Sequence, residues 1–428
     1  MAAAIQWEAT ATSAGAARRL RVLVLDEALP YPPDSGKRLR TWHLLRRLAA
    51  RHEVTLLCYS ECGEEQSAEA LAAMASAGIT CLLVPAPPAR AGLGLYARLL
   101  ANCFSAWPYS VSKHHSPRLR RALRELCAGG RFDLIQVEWT PYASHLEAGA
   151  PPHLIASHNI EADIWRRRAA VAAHPAARLF FHWQAAKMRR FEAGAFRRAR
   201  AVTTVSAMDR RQALTLGARR AAVVANGIDL EHLQPVPAAA AEPDRVLFLG
   251  SLDWFPNQDG IAYFLSAIWP GLRALRPQAR LQIVGRRPPA ALRQQVAGQP
   301  GVELVGEVAD VRPWLSAAAV VVVPLRIGGG SRIKILEALA MEKAVVSTTV
   351  GAEGLEVAAG VQLLLADAPA QFAAQTAALL SSPDRAAALG AAGGRWVREH
   401  HSWDRCALAL ESAWRAAAGP SGPAEERP

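Results

Sequence analysis

The 428-residue chain has no stretch of about 18 or more apolar residues free of charge, so nothing in it reads as a membrane-spanning helix. The alanine- and threonine-rich start before Arg18 lacks the continuous apolar run of a secretory signal. Residues 1–18 and the Pro/Gly/Glu-rich end at 419–428 are expected to be loose tails. Cysteine is scarce and scattered: Cys58, Cys62, Cys81, Cys103, Cys127 and Cys406 form no CxxC pair and no Cys/His cluster at zinc spacing. That excludes a disulfide scaffold and suits a reduced, cytoplasmic setting. No GxGxxG follows the first apolar strand, which weighs against a dehydrogenase. No aspartate pair of the DxD kind offers to hold a divalent ion, and neither metal nor cofactor is expected. Acid is short in one half only. Residues 1–230 carry 31 Lys/Arg against 18 Asp/Glu, while the remainder carries 18 against 19. Without a recognisable nucleic-acid module, that excess points to an anionic membrane surface or a lipid-linked pyrophosphate, and no nucleic-acid partner is expected.

The length exceeds the roughly 250–300 residues at which one core stops growing, so two domains are expected, and 51% apolar residues can fill both. In the first half, RVLVLD at Arg21–Asp26, EVTLLCY, TCLLVPA near Leu82, FDLIQVEW ending at Trp139, HLIAS before His158 and AVTTVS at 201–206 read as strands. Helical stretches around Thr41–Arg51, Pro117–Cys127 and Ile164–Arg200 separate them. The segment Leu233–Asp244, with two prolines and a run of alanines, reads as a linker. A second series follows at Arg245–Gly250, Arg280–Gly285, Val302–Gly306, Val320–Pro324 and Ala344–Thr349. Strand and helix alternating in this way imply an α/β fold with two doubly wound parallel sheets. The domains are then 19–232, 245–399 and a C-terminal helix at 400–418 that completes the first domain.

The most informative stretch is VVVVPLRIGGGSRIKILEALAMEKAVVSTTVGAEGL at Val320–Leu355. Four valines form a strand covered on both faces. Gly328, Gly329 and Gly330 then permit a sharp turn and close backbone approach, with Ser331 as N-cap of a helix at Arg332–Met341. Free amides at that helix start favour an anion. Arg326 and Lys334 add positive charge for a diphosphate leaving group, and Glu337 can accept hydrogen bonds from ribose hydroxyls. A plain strand-to-helix turn with a Lys334/Glu337 surface pair is the alternative.

This stretch resembles the donor signature of nucleotide-sugar glycosyltransferases of the GT-B architecture, specifically glycosyltransferase family 4. FLGSLDWFPNQDGIAYF (Phe248–Phe264), LQIVGRRPP (Leu281–Pro289) and VGEVADVRPWL (Val305–Leu315) extend the resemblance to sugar transferases associated with exopolysaccharide systems. It implies two Rossmann-like domains facing each other across a cleft, and donor contacts at Gly250, Ser251, Asn257, Gly306 and Glu307 as well as at the glycine turn. The family's paired glutamates, separated by seven residues, are represented by Glu337 alone, because Gly329 stands at the first position. Ser251 and Asn257 lie near positions that many relatives fill with arginine and lysine, so Arg326 and Lys334 are expected to carry that charge. The resemblance also implies a C-terminal helix crossing back onto the first domain and a retaining reaction.

On the acceptor side His158 follows a strand, where a wound sheet presents functional groups, and the resemblance places a sugar-contacting histidine there. Glu138, Glu161 and Gly36 are further cleft candidates, each also explicable as loop or turn. The region Arg166–Arg200 holds ten Lys/Arg against Glu192 alone. In it Lys187, Arg190 and Arg197 share a helical face beside an apolar stripe of Met188, Phe191, Ala195 and Ala199, a membrane-surface pattern. A helix packed on the sheet with a charged outer side explains the same residues. Transfer of a sugar from a nucleoside diphosphate to a saccharide or lipid-linked saccharide in cell-surface glycan synthesis, on the inner face of the cytoplasmic membrane, is the expectation. A nucleotide-sugar epimerase and a non-enzymatic basic binding protein are the alternatives.

Overall fold

The apolar runs pair into two parallel sheets in a computed structural model that describes residues 18–60, 64–86, 99–172, 174–234, 242–327 and 332–419. The first sheet contains β1 (Arg21–Leu25), β2 (Glu53–Ser60), β3 (Ile79–Pro85), β4 (Leu134–Val137), β5 (His153–Ser157), β6 (Ala201–Thr204) and β7 (Ala221–Val223). They lie in the order β3-β2-β1-β4-β5-β6-β7. The second contains β8 (Arg245–Leu249), β9 (Arg280–Val284), β10 (Val302–Gly306), β11 (Val320–Val323), β12 (Ala344–Ser347) and β13 (Leu364–Leu365), ordered β10-β9-β8-β11-β12-β13. Both sheets reverse direction of winding beside their first strand, the topology that opens a ligand crevice at the carboxyl ends. The edge strands β7 and β13 are too short, at three and two residues, to leave a periodic signal in the sequence.

The strands read as continuous apolar runs because helices cover both faces. Val22 and Val24 of β1 point to one face with Leu45, Leu48 and Leu56, while Leu23 and Leu25 point to the other with Ile135, Met188 and Phe196. The second sheet divides likewise, with Val246 and Phe248 on one side and Leu247 and Leu249 on the other. The helix Trp403–Ala418, capped by Ser402, packs into the first core: Trp403, Cys406, Leu410 and Trp414 are buried there, and Trp414 Nε1 donates to Gln136 Oε1 at 2.5 Å. The crossing is tight. A Cβ on Gly227 would lie 2.6 Å from the Trp403 ring.

Three helix boundaries differ from the sequence reading. The first helix starts at Gly36, not near Thr41, because Ser35 accepts a hydrogen bond from Arg38 N and caps it five residues earlier. The stretch expected as one helix is two, Glu161–Val171 and Pro175–Arg198. Pro175 cannot continue a helix but is suited to starting one, so the chain breaks there. The helix expected at Arg332–Met341 is Ile333–Ala340, with Arg332 at the cap position. Most of the linker, 235–241, and most of the two tails lie outside the described residues, as do Gly328, Gly329, Gly330, Ser331 and Cys62.

The carboxyl ends of the two sheets face each other. Asp34, in the loop after β1, meets Arg286 after β9 at 2.7 Å. Arg167 of the helix following β5 grips Glu353 of the loop following β12 with both terminal nitrogens, at 2.5 and 2.6 Å.

Candidate active site

On the second domain the site is built where β8, β9 and β10 end in glycine. Lys334, in the first turn of its helix, sends Nζ to Asn257 Oδ1 at 2.5 Å, and Asn257 donates from Nδ2 to Ser251 O at 2.8 Å. Gly250 permits that approach, since a Cβ there would stand 2.6 Å from Lys334 Nζ and 2.9 Å from Asn257 Nδ2. A Cβ on Gly285 would collide with Gly250 O, and Gly285 N donates to Gly306 O at 2.8 Å. Gly306 has φ of 86° and faces open space.

Burial, aided by the positive charge of Arg332 and opposed by Glu337, brings Lys334 down to about 7. Burial likewise pushes Glu337 up to about 7, opposed by Lys334. The two do not form a surface pair: both are partly buried, and among the described residues Glu337 accepts no hydrogen bond. An amine and a carboxyl, both brought near neutral pH by burial, thus stand one turn apart, and among the described residues the carboxyl keeps its hydrogen-bonding capacity. Such a pair can take an anion and a hydroxyl together.

Arg326 does not join them. Its guanidinium is engaged by Asp259, with Nη2 to Oδ1 at 2.5 Å and Nε to Oδ2 at 3.0 Å, and lies 4.6 Å from the Tyr263 ring centre. Asp259 and Asn257 sit on the same helix, Phe255–Tyr263, so one element anchors both cations on different sides. Arg332 is buried, donating to Val350 O and Glu353 O at 2.8 and 2.9 Å. Glu307 is exposed in the loop after β10.

Opposite, on the first domain, Glu138 and His158 meet. His158 Nε2 lies 3.1 Å from Glu138 Oε1, and Glu138 also accepts from Thr41 Oγ1 at 3.2 Å and from Gln136 Nε2. Burial pushes the Glu138 carboxyl up, but the hydrogen bond and charge of His158, with Arg40 and Lys37, overcome this and hold it at about 2. Glu161 is buried rather than solvated, accepting from Trp139 Nε1 at 2.9 Å. Burial raises its pKa, against those hydrogen bonds. Gly36 opens the helix whose next residue, Lys37, reaches Asp26 at 2.6 Å and Glu27 at 3.1 Å.

Asp26, Glu27 and Lys37 were not singled out in the sequence, although a charged pair directly after an apolar first strand was a visible signal. Burial raises Asp26 to about 7, partly offset by Lys37 and reinforced by Glu138 and Glu27. Together these groups make a polar, acid-rich wall at the ends of β1, β4 and β5.

Two wound sheets meeting carboxyl edge to carboxyl edge, with a cation–carboxylate step on the second lobe and a carboxylate–histidine pair on the first, define the GT-B class of glycosyltransferases. Residues 36–232 match the family model described as Glycosyltransferase Family 4, and residues 243–382 that described as Glycosyl transferases group 1. The chain belongs to glycosyltransferase family 4 and is a glycosyltransferase. Its fold is similar to that of HepE from Anabaena in complex with UDP and glucose (14% identity, 92% of this chain and 99% of that one covered, TM-score 0.65). Sucrose-phosphate synthase from Thermosynechococcus elongatus is similar too (17%, 93% and 98%, 0.68), as is TarM of S. aureus (8%, 94% and 100%, 0.66). No curated protein matches the sequence.

Proposed function

We propose that the chain transfers a sugar, with retention, from a nucleoside-diphosphate sugar to a hydroxyl of a saccharide or lipid-linked saccharide in exopolysaccharide or cell-surface glycan synthesis. The observation that carries this is the convergence of Gly250, Asn257, Lys334 and Glu337 at the ends of the second sheet. Lys334 takes the donor diphosphate, and Glu337 the ribose or the transferred sugar, while Ser251 and Asn257 fix the lysine. The glycine turn at 328–330 with Ser331, and the loop at Gly306 and Glu307, complete the donor contacts. The HepE structure with UDP-glucose and the TarM structure with UDP and α-GlcNAc-glycerol support a donor of this class.

His158, held by Glu138, contacts the acceptor or the transferred sugar, with Glu161 and the Gly36 turn on the same wall. Arg326, being neutralised by Asp259, is assigned the support of the Asn257 helix and a weaker field at the diphosphate. Lys334 and the helix amides meet the leaving charge without a metal cofactor. The surplus of cations in residues 1–230 supports peripheral attachment to the anionic inner face of the cytoplasmic membrane.

The test is nucleotide release from a panel of nucleotide sugars, with and without saccharide acceptors and with a chelator. Release that requires an acceptor, survives chelation and is lost in Lys334→Met supports the reading. A sugar nucleotide converted to its epimer with no acceptor present would refute it.

A further inference from the structure

The helix Pro175–Arg198 runs from the cleft edge of the first sheet to the opposite edge, because it follows the helix after β5 and ends where β6 begins. With 24 residues it is about 36 Å long. Its inner side is fully committed. Met188, Ala195 and Phe196 lie in the core, and Glu192 accepts from Glu161 N and Ala162 N at 2.7 and 3.2 Å, capping a helix that has no cap of its own. Lys187, expected on the basic outer face, is buried instead, donating to Asn102 O at 2.7 Å and lying 4.2 Å from the Trp183 ring centre. The apolar stripe is therefore not what meets an outside partner.

The outer side of the far half is different. Arg189, Arg190 and Arg197, with Ala193, Thr215 and Leu216, line an open pocket of about 380 Å³. All three guanidiniums are exposed, and none has a hydrogen-bond or ion-pair partner among the described residues. The pocket wall is fitted to one of them: Gly217 has φ of 101°, and a Cβ there would stand 2.7 Å from Arg197 Cγ. Three guanidinium forks, unpaired among the described residues and carried by residues that line one concavity, suit the oxygens of a tetrahedral anion.

We infer that this pocket binds a phosphate group, at a site separate from the donor diphosphate because it lies at the edge of the sheet away from the cleft. The phosphate is that of a lipid headgroup or of a soluble phosphate ester. Exposed apolar residues on the near half of the same helix favour the headgroup: Leu179 is 73% and Trp183 38% exposed. Phe104, 94% exposed, lies two residues after Asn102, which is bonded to Gln184 and Lys187 of this helix. Aromatic and aliphatic side chains next to arginines suit the boundary between headgroups and acyl chains.

The experiment uses the full chain and the variant Arg189→Gln/Arg190→Gln/Arg197→Gln. It is compared with Lys113→Gln/Arg118→Gln/Arg131→Gln, which removes the same charge from exposed positions of the same domain. Binding is measured to inorganic phosphate by calorimetry, and to phosphatidylcholine vesicles with and without phosphatidylglycerol by co-sedimentation. Loss of about tenfold or more in affinity for phosphatidylglycerol vesicles in the first variant only, with an unchanged thermal midpoint and competition by phosphate, assigns a headgroup site. Saturable phosphate binding lost in the first variant, with no vesicle binding, assigns a soluble ester. Equal losses in both variants, or phosphate and vesicle binding unaffected by the first, overturns the inference. The headgroup assignment rests on the membrane attachment proposed above, but donor turnover by the Lys334 site is not the readout, so failure here leaves the sugar-transfer proposal standing, and the converse.

Discussion

Arg167 and Glu353, 186 residues apart in the chain, form a two-pronged ion pair that ties the first lobe to the second. Arg332 lies beneath it, donating to Glu353 O and standing 3.5 Å from Glu353 Oε2. The carboxylate is thus shared by one cation from each lobe. Asp34 and Arg286 make a second tie across the loops. Ties of this kind set how readily the lobes close.

Arg167→Ala is expected to leave each core intact while loosening the approach of the lobes. Small-angle scattering should show a larger radius of gyration without donor, and kcat/KM should fall by about tenfold, equivalent to about 1.4 kcal/mol of lost closing interaction. Arg167→Lys, which keeps the charge but not the two-pronged geometry, should lose less than Arg167→Ala. Unchanged scattering and kinetics would show that the pair is only a surface contact.

Lys334 gives a pH signature. Free, it is held near 7 by burial, so above that pH it is largely neutral. A bound diphosphate favours the protonated form, so binding above pH 7 should take up a proton, and donor affinity should weaken as pH rises. Calorimetry with UDP in buffers of different ionisation enthalpy reads the uptake directly. Lys334→Met should abolish it.

Gly250→Ala places a methyl group against Lys334 Nζ and Asn257 Nδ2. The lysine tip must move, and turnover is expected to drop by about two orders of magnitude while the fold is kept, since misplacement of this size costs that much. Circular dichroism separates this from unfolding.

Glu138 carries acid sensitivity. Its carboxyl is held at about 2, below its ordinary 4.5, so its pairing stabilises the fold fully above pH 4.5 and is lost as pH falls through 2. Glu138→Gln should lower stability at pH 7 by about 3–5 kcal/mol, since it removes one partner of a buried pair. The difference from wild type should shrink in denaturant titrations as the pH is lowered below 4.5.

Trp414 closes the first core from the far end of the chain. Trp414→Ala is expected to cost about 3–5 kcal/mol, because it removes a fully buried ring and leaves Gln136 Oε1 without its donor. Chemical denaturation should show the first domain, not the second, losing stability.

Both wound sheets are legible in the sequence, as is the glycine-flanked position of Lys334 and Glu337 at the carboxyl end of the second one. A β-branched run such as Val320–Val323 reads as a covered strand, and Gly250 directly after β8 admits a neighbour where any side chain would obstruct. The sequence also marked His158 and Glu138 through their position after strands. Which charges meet is set by the folded arrangement. Arg326 reads as a free cation until Asp259, 67 residues earlier, is folded against it. Glu192 reads as a lone acid on a basic helix until it caps the neighbouring one, and Lys187 as a surface charge until Asn102 takes it inside. Strand patterning is set by neighbours along the chain and is legible there. Ion pairing depends on distances of a few ångströms between residues far apart in sequence, and these exist only once the lobes have folded and met.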